Sequence, residues 1–199
     1  MAVSKTHPVA AIREAYEAGQ RLFGENRVQE VQGKAAGLAS LPGMDMHLIG
    51  PLQNNKTAKA AELFHAVDTV DAEKTATRLD AAAGQLGRVL PVLIEVKLSP
   101  EDTKHGIAPE ALPALLEAVA PLRHLRVSGL MTVPPLDAGG EAARPYFRRL
   151  RELRDEFCPR FPTLTELSMG MSGDFQVAIE EGSTTVRVGT AIFGKREAV

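Results

Sequence analysis

The 199-residue sequence has no tryptophan, a single cysteine (Cys158) and only 5% aromatic residues. One cysteine excludes an intrachain disulfide framework and a metal site built from several cysteines. No apolar run reaches the ~18 residues that a membrane-spanning helix needs. The first residues also lack the apolar core of a signal peptide. The sequence therefore predicts a cytoplasmic protein.

The sequence also lacks a large excess of either positive or negative charge. The chain carries 23 basic and 25 acidic residues, for a net charge of -2. A generally basic surface is thereby excluded, so we expect no nucleic-acid partner and no membrane partner. Apolar residues make up 44% and charged residues 24% of the chain, as in globular proteins. This length suits one domain, which we expect to span residues 1–199.

Short β-branched runs alternate with amphipathic segments along the whole chain. Apolar residues at helical spacing, such as Phe147, Leu150 and Leu153, predict helices between the runs. Asp71 is the expected N-cap of the helix that ends near Gly84. Alternating strands and helices indicate an α/β fold with a parallel sheet, and eight units favour a (β/α)8 TIM barrel. The predicted strands are residues 1–4, 21–24, 46–50, 65–70, 89–96, 125–131, 164–169 and 184–188.

An open, doubly wound sheet is the alternative to the barrel. Such sheets often carry a glycine-rich first turn. The first turn here, residues 4–8, reads SKTHP and contains no glycine. The barrel is therefore the favoured fold.

Two glycine-containing segments near the end of the chain are candidates for phosphate binding. Residues 169–173 (MGMSG) follow predicted strand 7, and Val188, Gly189 and Thr190 follow strand 8. Glycines let backbone N–H groups approach an anion, and the loops after strands 7 and 8 of a barrel often hold phosphate. Ordinary turns, with Ser172 as a helix cap, are an equal alternative.

Lys5 is the candidate reactive group. It directly follows the first predicted strand, which points its amine toward the mouth of the barrel. Partial desolvation and a nearby cation such as Arg187 would lower the pKa of this amine from ~10.4, and a neutral amine can form a Schiff base with an aldehyde. A surface lysine is the alternative for Lys5 alone. Lysine, phosphate loops and barrel together suggest pyridoxal 5'-phosphate (PLP).

Six segments along the chain resemble the PLP homeostasis protein family, also called the YggS or PROSC family. The resemblance covers essentially the whole chain, with the motifs in order. The strings FGENR and LSMGMS are the most specific. The segments are residues 2–5 (AVSK), 23–30 (FGENRVQE), 47–56 (HLIGPLQNNK), 128–131 (SGLM), 167–172 (LSMGMS) and 186–194 (VRVGTAIFG).

The resemblance implies a single barrel similar to the N-terminal domain of alanine racemase, lacking here the family's usual N-terminal helix. It implies PLP bound as a Schiff base on Lys5, with Arg187 facing the pyridine nitrogen. It also implies phosphate contacts from Ser172, Gly189 and Thr190.

Asn26, His47 and Met131 match family positions near the cofactor. Packed barrel residues are an equal alternative for His47 and Met131. Lys97 stands where family members commonly have asparagine, which adds a cation near the mouth or at the solvent.

An arginine at the pyridine nitrogen has a chemical consequence. Arginine offers only donors, so it bonds this nitrogen only when the nitrogen is unprotonated, and the ring is then a weak electron sink. Alanine racemase adds a tyrosine base from a second domain, whereas Tyr16 and Tyr146 fall here on predicted outer helices. The site is thus suited to hold PLP and poorly equipped for catalysis.

We therefore expect a monomeric PLP carrier that serves intracellular PLP (vitamin B6) homeostasis and can hand PLP to apo-enzymes, with no metal and no strong activity of its own. One alternative is a small PLP-dependent amino-acid racemase or lyase, with His47 or Lys104 as its base. Another is a barrel that binds a phosphosugar without PLP.

Overall fold

The computed structural model describes residues 1–99, 101, 105–135 and 137–194. Its eight strands are parallel and follow one another around a single sheet in chain order. The strands are β1 (Ala2–Val3), β2 (Leu22–Glu25), β3 (Asp45–Leu48), β4 (Ala66–Val70), β5 (Leu90–Glu95), β6 (Leu125–Met131), β7 (Glu166–Met171) and β8 (Thr185–Arg187).

An α-helix follows each strand, as the alternating sequence pattern predicts. Short 3-10 turns precede three of these helices, at Asn54–Lys56, Pro109–Ala111 and Gly140–Ala143. The helices are α1 (Val9–Glu17), α2 (Val28–Leu38), α3 (Thr57–Leu63), α4 (Glu73–Gln85), α5 (Leu112–Val119), α6 (Arg144–Phe157), α7 (Phe175–Glu180) and α8 (Thr190–Phe193). None of these described helices is both long enough and apolar enough to cross a membrane.

The sheet closes on itself where β8 meets β1. Ala2 and Val188 form a parallel bridge there. The Val3 N–H donates to the Val188 carbonyl at 2.9 Å, and the Val188 N–H donates to the Met1 carbonyl at 3.0 Å. The predicted barrel is therefore confirmed, and the open sheet is excluded.

The main hydrophobic core lies between the strands and the helices. Phe23 of β2, Phe64 after α3 and Phe147 of α6 are fully buried in it. Each buried side chain of this kind contributes about 1.5–3 kcal/mol, so this layer stabilises the fold. Polar residues are buried as well, and several of them lie on strand positions that face the barrel interior: Asp68, Glu95, Ser168 and Arg187.

The cap of α4 and the end of β7 differ from the sequence prediction. Asp71 does not cap α4, which begins at Glu73 with Ala72 in the N-cap position. Strand β7 runs on to Met171, because Gly170 adopts a left-handed φ of 97° in an irregular stretch that keeps the chain beside β8. A Cβ at Gly170 would lie 2.5 Å from the Ala178 Cβ, so this path needs glycine.

Candidate functional site

A cavity of about 440 Å³ opens at the carboxyl ends of the strands. This volume lies within the range of roughly 300–1,000 Å³ found for small-molecule sites. Strands and loops from both ends of the chain meet here, as in other (β/α)8 barrels. Six of the residues predicted from the sequence line it: Lys5, Asn26, Ser172, Arg187, Gly189 and Thr190.

Lys5 enters this cavity from the turn that follows β1. The preceding Ser4 N–H donates to the Gly24 carbonyl at 3.0 Å, which keeps the chain beside β2 up to that point. His7, two residues further on, stacks on Phe193 of α8 with ring centroids 5.0 Å apart. The turn is therefore held against both neighbouring strand-helix units, with the half-buried Lys5 side chain at the cavity.

Gly50 brings the ends of β2 and β3 together. A Cβ at this position would lie only 2.3 Å from the Asn26 carbonyl oxygen. No other residue type allows the two backbones to approach so closely. Asn26 and Gly50 consequently line the same side of the cavity.

Arg187 is a fixed donor on the cavity wall. Its side chain is buried, and its two terminal nitrogens donate to Ser168 Oγ and to the Thr132 carbonyl, each at 2.8 Å. Burial lowers the pKa of the guanidinium, against the opposing charges of Asp68, Glu95 and Asp174. Guanidinium has five N–H donors, so three remain after these two bonds.

The loops after β7 and β8 supply the groups expected to hold an anion. Ser172 and Gly173 line the cavity together with Gly189 and Thr190. Gly189 leads directly into α8, and the first N–H groups of a helix have no partner within it. Hydroxyl groups and backbone N–H groups thus share one cavity with an amine, and this donor set fits an aldehyde that carries a phosphate.

His47 does not join this group and lies at the opposite end of the barrel. It lines a second cavity of about 660 Å³ with Asp45 and Glu166, the first residues of β3 and β7, and with Asp68 in the middle of β4. Each strand residue advances the chain by ~3.3 Å, so His47 lies about two residues below Ile49 at the mouth. The motif match therefore identifies the strand of His47, and the structure places its side chain in the second cavity rather than in the mouth cavity.

Two carboxylates hold the imidazole of His47. Its Nδ1 lies 3.0 Å from Asp68 Oδ1, and its Nε2 lies 3.5 Å from Asp45 Oδ1. Burial opposes a charge on the ring, but these carboxylates outweigh it and raise the pKa of His47 to about 10. A protonated, ion-paired histidine is not suited to act as a general base at the mouth.

Met131 also lies away from the cavity lining. It is the last residue of β6 and only 1% exposed. In the sheet it pairs in register with Ser168, whose hydroxyl accepts the bond from Arg187. The structure therefore matches the alternative in which Met131 fills the barrel.

Sequence reasoning missed three polar residues that line the mouth: His7, Glu95 and His105. Glu95 ends β5, so its position at a strand end was the available signal. Lys97, two residues later, is not among the lining residues. Lys104, the other candidate base, falls outside the described residues.

The remaining candidates for other chemistry do not reach the cavity. Tyr16 lies on α1 and donates from its hydroxyl to the Pro42 carbonyl at 2.6 Å. Tyr146 lies on α6. Among the residues that the structure describes, no group of three or more histidine, cysteine and acidic side chains could hold a metal ion.

The sequence matches known proteins over nearly its full length. The family model described as "Alanine racemase, N-terminal domain" matches residues 1–197. A pyridoxal phosphate homeostasis protein of Pseudomonas aeruginosa is 50% identical over 197 residues, which cover 99% of this chain and 84% of that protein. One from Escherichia coli K12 is 44% identical over 202 residues, with coverage of 99% and 85%.

Solved structures show the same architecture. PipY of Synechococcus elongatus, solved without PLP, superposes with a TM-score of 0.93 at 47% identity, covering 97% of this chain and 91% of that one. PipY with PLP bound gives 0.92 at 46% identity, with coverage of 98% and 91%. An alanine racemase of Clostridium difficile gives 0.81 at 14% identity over 99% of this chain and 52% of that one, a likeness of fold.

Proposed function

Because the chain belongs to the alanine racemase N-terminal domain family, in which relatives 44–50% identical to it are PLP homeostasis proteins, we propose that it binds PLP on Lys5 and serves PLP homeostasis in the cytoplasm. One observation carries this proposal. The amine of Lys5 shares a single cavity with Arg187 and with the loops that contain Ser172, Gly189 and Thr190.

Each part of this cavity has a role toward PLP. The Lys5 amine would hold PLP by condensing with its aldehyde, with release of water. Ser172, Gly189 and Thr190 would hold the phosphate through hydroxyl and backbone N–H groups. Arg187 would donate a hydrogen bond to the ring nitrogen, and Asn26 lies on the cavity wall beside Gly50.

The position of Arg187 supports a carrier rather than an enzyme. Its two bonds to Ser168 and Thr132 fix a guanidinium that offers donors and no acceptor. It pairs with an unprotonated ring nitrogen, and the ring is then a weak electron sink. His47, one of the two bases considered for a racemase or lyase, lies in the other cavity, and Lys104, the second, is outside the described residues. We infer that the protein stores PLP reversibly, as a monomer, and delivers it to PLP-dependent apo-enzymes.

Covalent trapping tests the assignment of Lys5. The purified protein with PLP should turn yellow, and borohydride reduction followed by peptide mapping should place the label on Lys5. Lys5→Ala should abolish the adduct and unfold at nearly the same temperature, because a half-buried lysine at the mouth contributes little to the core. Lys56 does not line the cavity, so Lys56→Ala is the matched control, and this variant should still be labelled on Lys5.

A colourless protein, or a label on Lys56 instead of Lys5, would contradict the proposal. A colourless protein that binds sugar phosphates would support the phosphosugar alternative. Incubation with amino acids distinguishes carrier from enzyme: a carrier shows no sustained racemisation or transamination, and rapid turnover would favour the racemase or lyase. Recovery of activity by a PLP-dependent apo-enzyme measures delivery.

A further inference from the structure

Hydrogen bonds of the sheet would by themselves hold the turn around Lys5 only weakly. Strand β1 ends at Val3, and the Ser4 N–H makes the last bond to the neighbouring strand. Thr6 then adopts a left-handed φ of 67°, a conformation that costs a β-branched residue on the order of 1–3 kcal/mol. Other contacts must therefore hold the backbone on both sides of Lys5.

A second lysine lies directly behind this turn. Lys34 is on α2, and only 11% of its side chain is exposed. Its Nζ donates to Glu25 Oε1 and Glu30 Oε1, each at 2.8 Å, and to the Ser4 carbonyl at 3.2 Å. An ammonium group has three N–H donors, so these three acceptors satisfy it completely.

The two carboxylates extend these contacts to both neighbours of Lys5. Glu25 Oε1 also accepts the hydroxyl proton of Ser4 at 2.7 Å. Glu30 Oε1 also accepts the backbone N–H of Thr6. The residue before Lys5 and the residue after it are thus bonded to one ion cluster, which we call the Lys34 cluster (Lys34, Glu25 and Glu30).

Stability alone does not explain such a cluster. Glu25 is fully buried, and its Oε2 has no hydrogen-bond partner among the described residues. Burial raises the pKa of Glu25, against the bonds from Lys34 and Ser4. Well-packed apolar residues in place of a buried ion pair are often at least as stable, so we look for the role of this cluster in the geometry that it fixes.

We propose that Lys34 is a positioning residue, whose ammonium group, through Glu25, Glu30 and the Ser4 carbonyl, sets the backbone of the Lys5 turn so that the Lys5 amine meets an aldehyde in the mouth cavity. The inference rests on the proposed function. It assigns Lys34 no contact with PLP, because its donors are already satisfied.

Lys34→Met tests the proposal, because methionine keeps the apolar stem and removes every donor. Since this variant leaves Glu25 buried and unpaired, the double variant Glu25→Gln/Lys34→Met removes both charges and guards against misfolding. Lys59→Met, on the exposed face of α3, is the matched control. Lys34→Arg keeps a cation and should restore part of the wild-type behaviour.

Two ligands separate positioning from folding. Pyridoxamine 5'-phosphate has an amine in place of the aldehyde, so it measures binding without the bond to Lys5. We expect its Kd to stay within about twofold of wild type, while the rate of covalent PLP uptake falls about ten- to hundredfold, as for a reacting group displaced by ~1 Å. Lys59→Met should change neither quantity.

Wild-type rates of PLP uptake in Lys34→Met and in Glu25→Gln/Lys34→Met would overturn the proposal. So would an equal loss of both ligands together with a lower Tm, which marks a merely structural role. Acetylation of Lys5 by acetic anhydride, followed by mass spectrometry, measures the reactivity of its amine in the absence of PLP. If the wild-type protein takes up no PLP but the acetylation of Lys5 changes in Lys34→Met, the proposed function fails and the positioning role stands. If the wild-type protein takes up PLP, and neither PLP uptake nor Lys5 acetylation changes in Lys34→Met, only the positioning role fails.

Discussion

At the scale of single residues, the identity of a side chain and its depth in the barrel are separate questions. The lysine at the end of strand 1 and the arginine of β8 are both in the mouth cavity, as the sequence predicted. His47 also lies in a segment that resembles the family, but its position in β3 places it in the cavity at the amino ends of the strands. Sequence shows which residue type is present, while depth depends on where each strand begins.

The ion pairs of His47 predict a pH-dependent contribution to stability. The pKa of His47 is raised from its ordinary 6.5 to about 10, so the stabilisation is complete below pH 6.5 and is lost as the pH rises toward 10. We expect the difference in unfolding free energy between wild type and His47→Gln to shrink across that interval, by on the order of 3 kcal/mol.

Denaturant unfolding at a series of pH values measures this difference. A difference that stays constant from pH 6.5 to 10 would show that His47 is not charged in the folded protein. PLP uptake should be intact in His47→Gln near neutral pH, since His47 does not line the mouth cavity. Loss of uptake with unchanged stability would return His47 to the cofactor site.

At the scale of elements, most strands and helices follow from the hydrophobic pattern, and their ends do not. Strand β6 has the predicted bounds, because its apolar run is sharply delimited. The one-turn helix α8 was not predicted, since four residues are too few to show helical periodicity. The extension of β7 through Gly170 passes so close to Ala178 that a Cβ at Gly170 would lie 2.5 Å from the Ala178 Cβ, and a local sequence pattern does not show this approach.

The approach of two strand ends at Gly50 gives a prediction at this scale. Gly50→Ala places a methyl group 2.3 Å from the Asn26 carbonyl oxygen, so the ends of β2 and β3 must separate. We expect a loss of about 1–3 kcal/mol in unfolding free energy and weaker PLP binding, because Asn26 and Gly50 line the cavity. Thermal unfolding and titration with PLP measure the two effects.

Gly33→Ala is the matched control. Gly33 lies within α2, and a Cβ there meets nothing within 4 Å. The same substitution should therefore stabilise the protein by roughly 0.5–1 kcal/mol, since alanine is the better helix former. If both variants changed stability equally, the close approach at Gly50 would not be the cause.

At the scale of the whole molecule, the eight-unit pattern was enough to predict the barrel. Each strand finds its partner next in the chain, so sheet order follows from sequence order. The sequence could not show how the polar interior divides into two cavities at opposite ends. That division arises from inward-facing residues of several strands together, such as Asp68 and Arg187.

Ligand binding should stabilise the whole fold by mass action. At a free PLP concentration 100 times the Kd, the folded state gains about 2.7 kcal/mol. For a domain of this size each kcal/mol raises the Tm by roughly 2–4 °C, so differential scanning fluorimetry should detect the shift. Lys5→Ala should show a clearly smaller shift, and an equal shift would mean that the bond to Lys5 adds nothing to affinity.

The join between β8 and β1 is short and consists of the bridge between Ala2 and Val188 with its backbone hydrogen bonds. Lys5 lies just past one side of this join, and Gly189 and Thr190 lie just past the other. A molecule bonded to Lys5 and held by Gly189 and Thr190 would link β1 to β8 across this join. Bound PLP would then protect the backbone amides of β1 and β8 from hydrogen exchange.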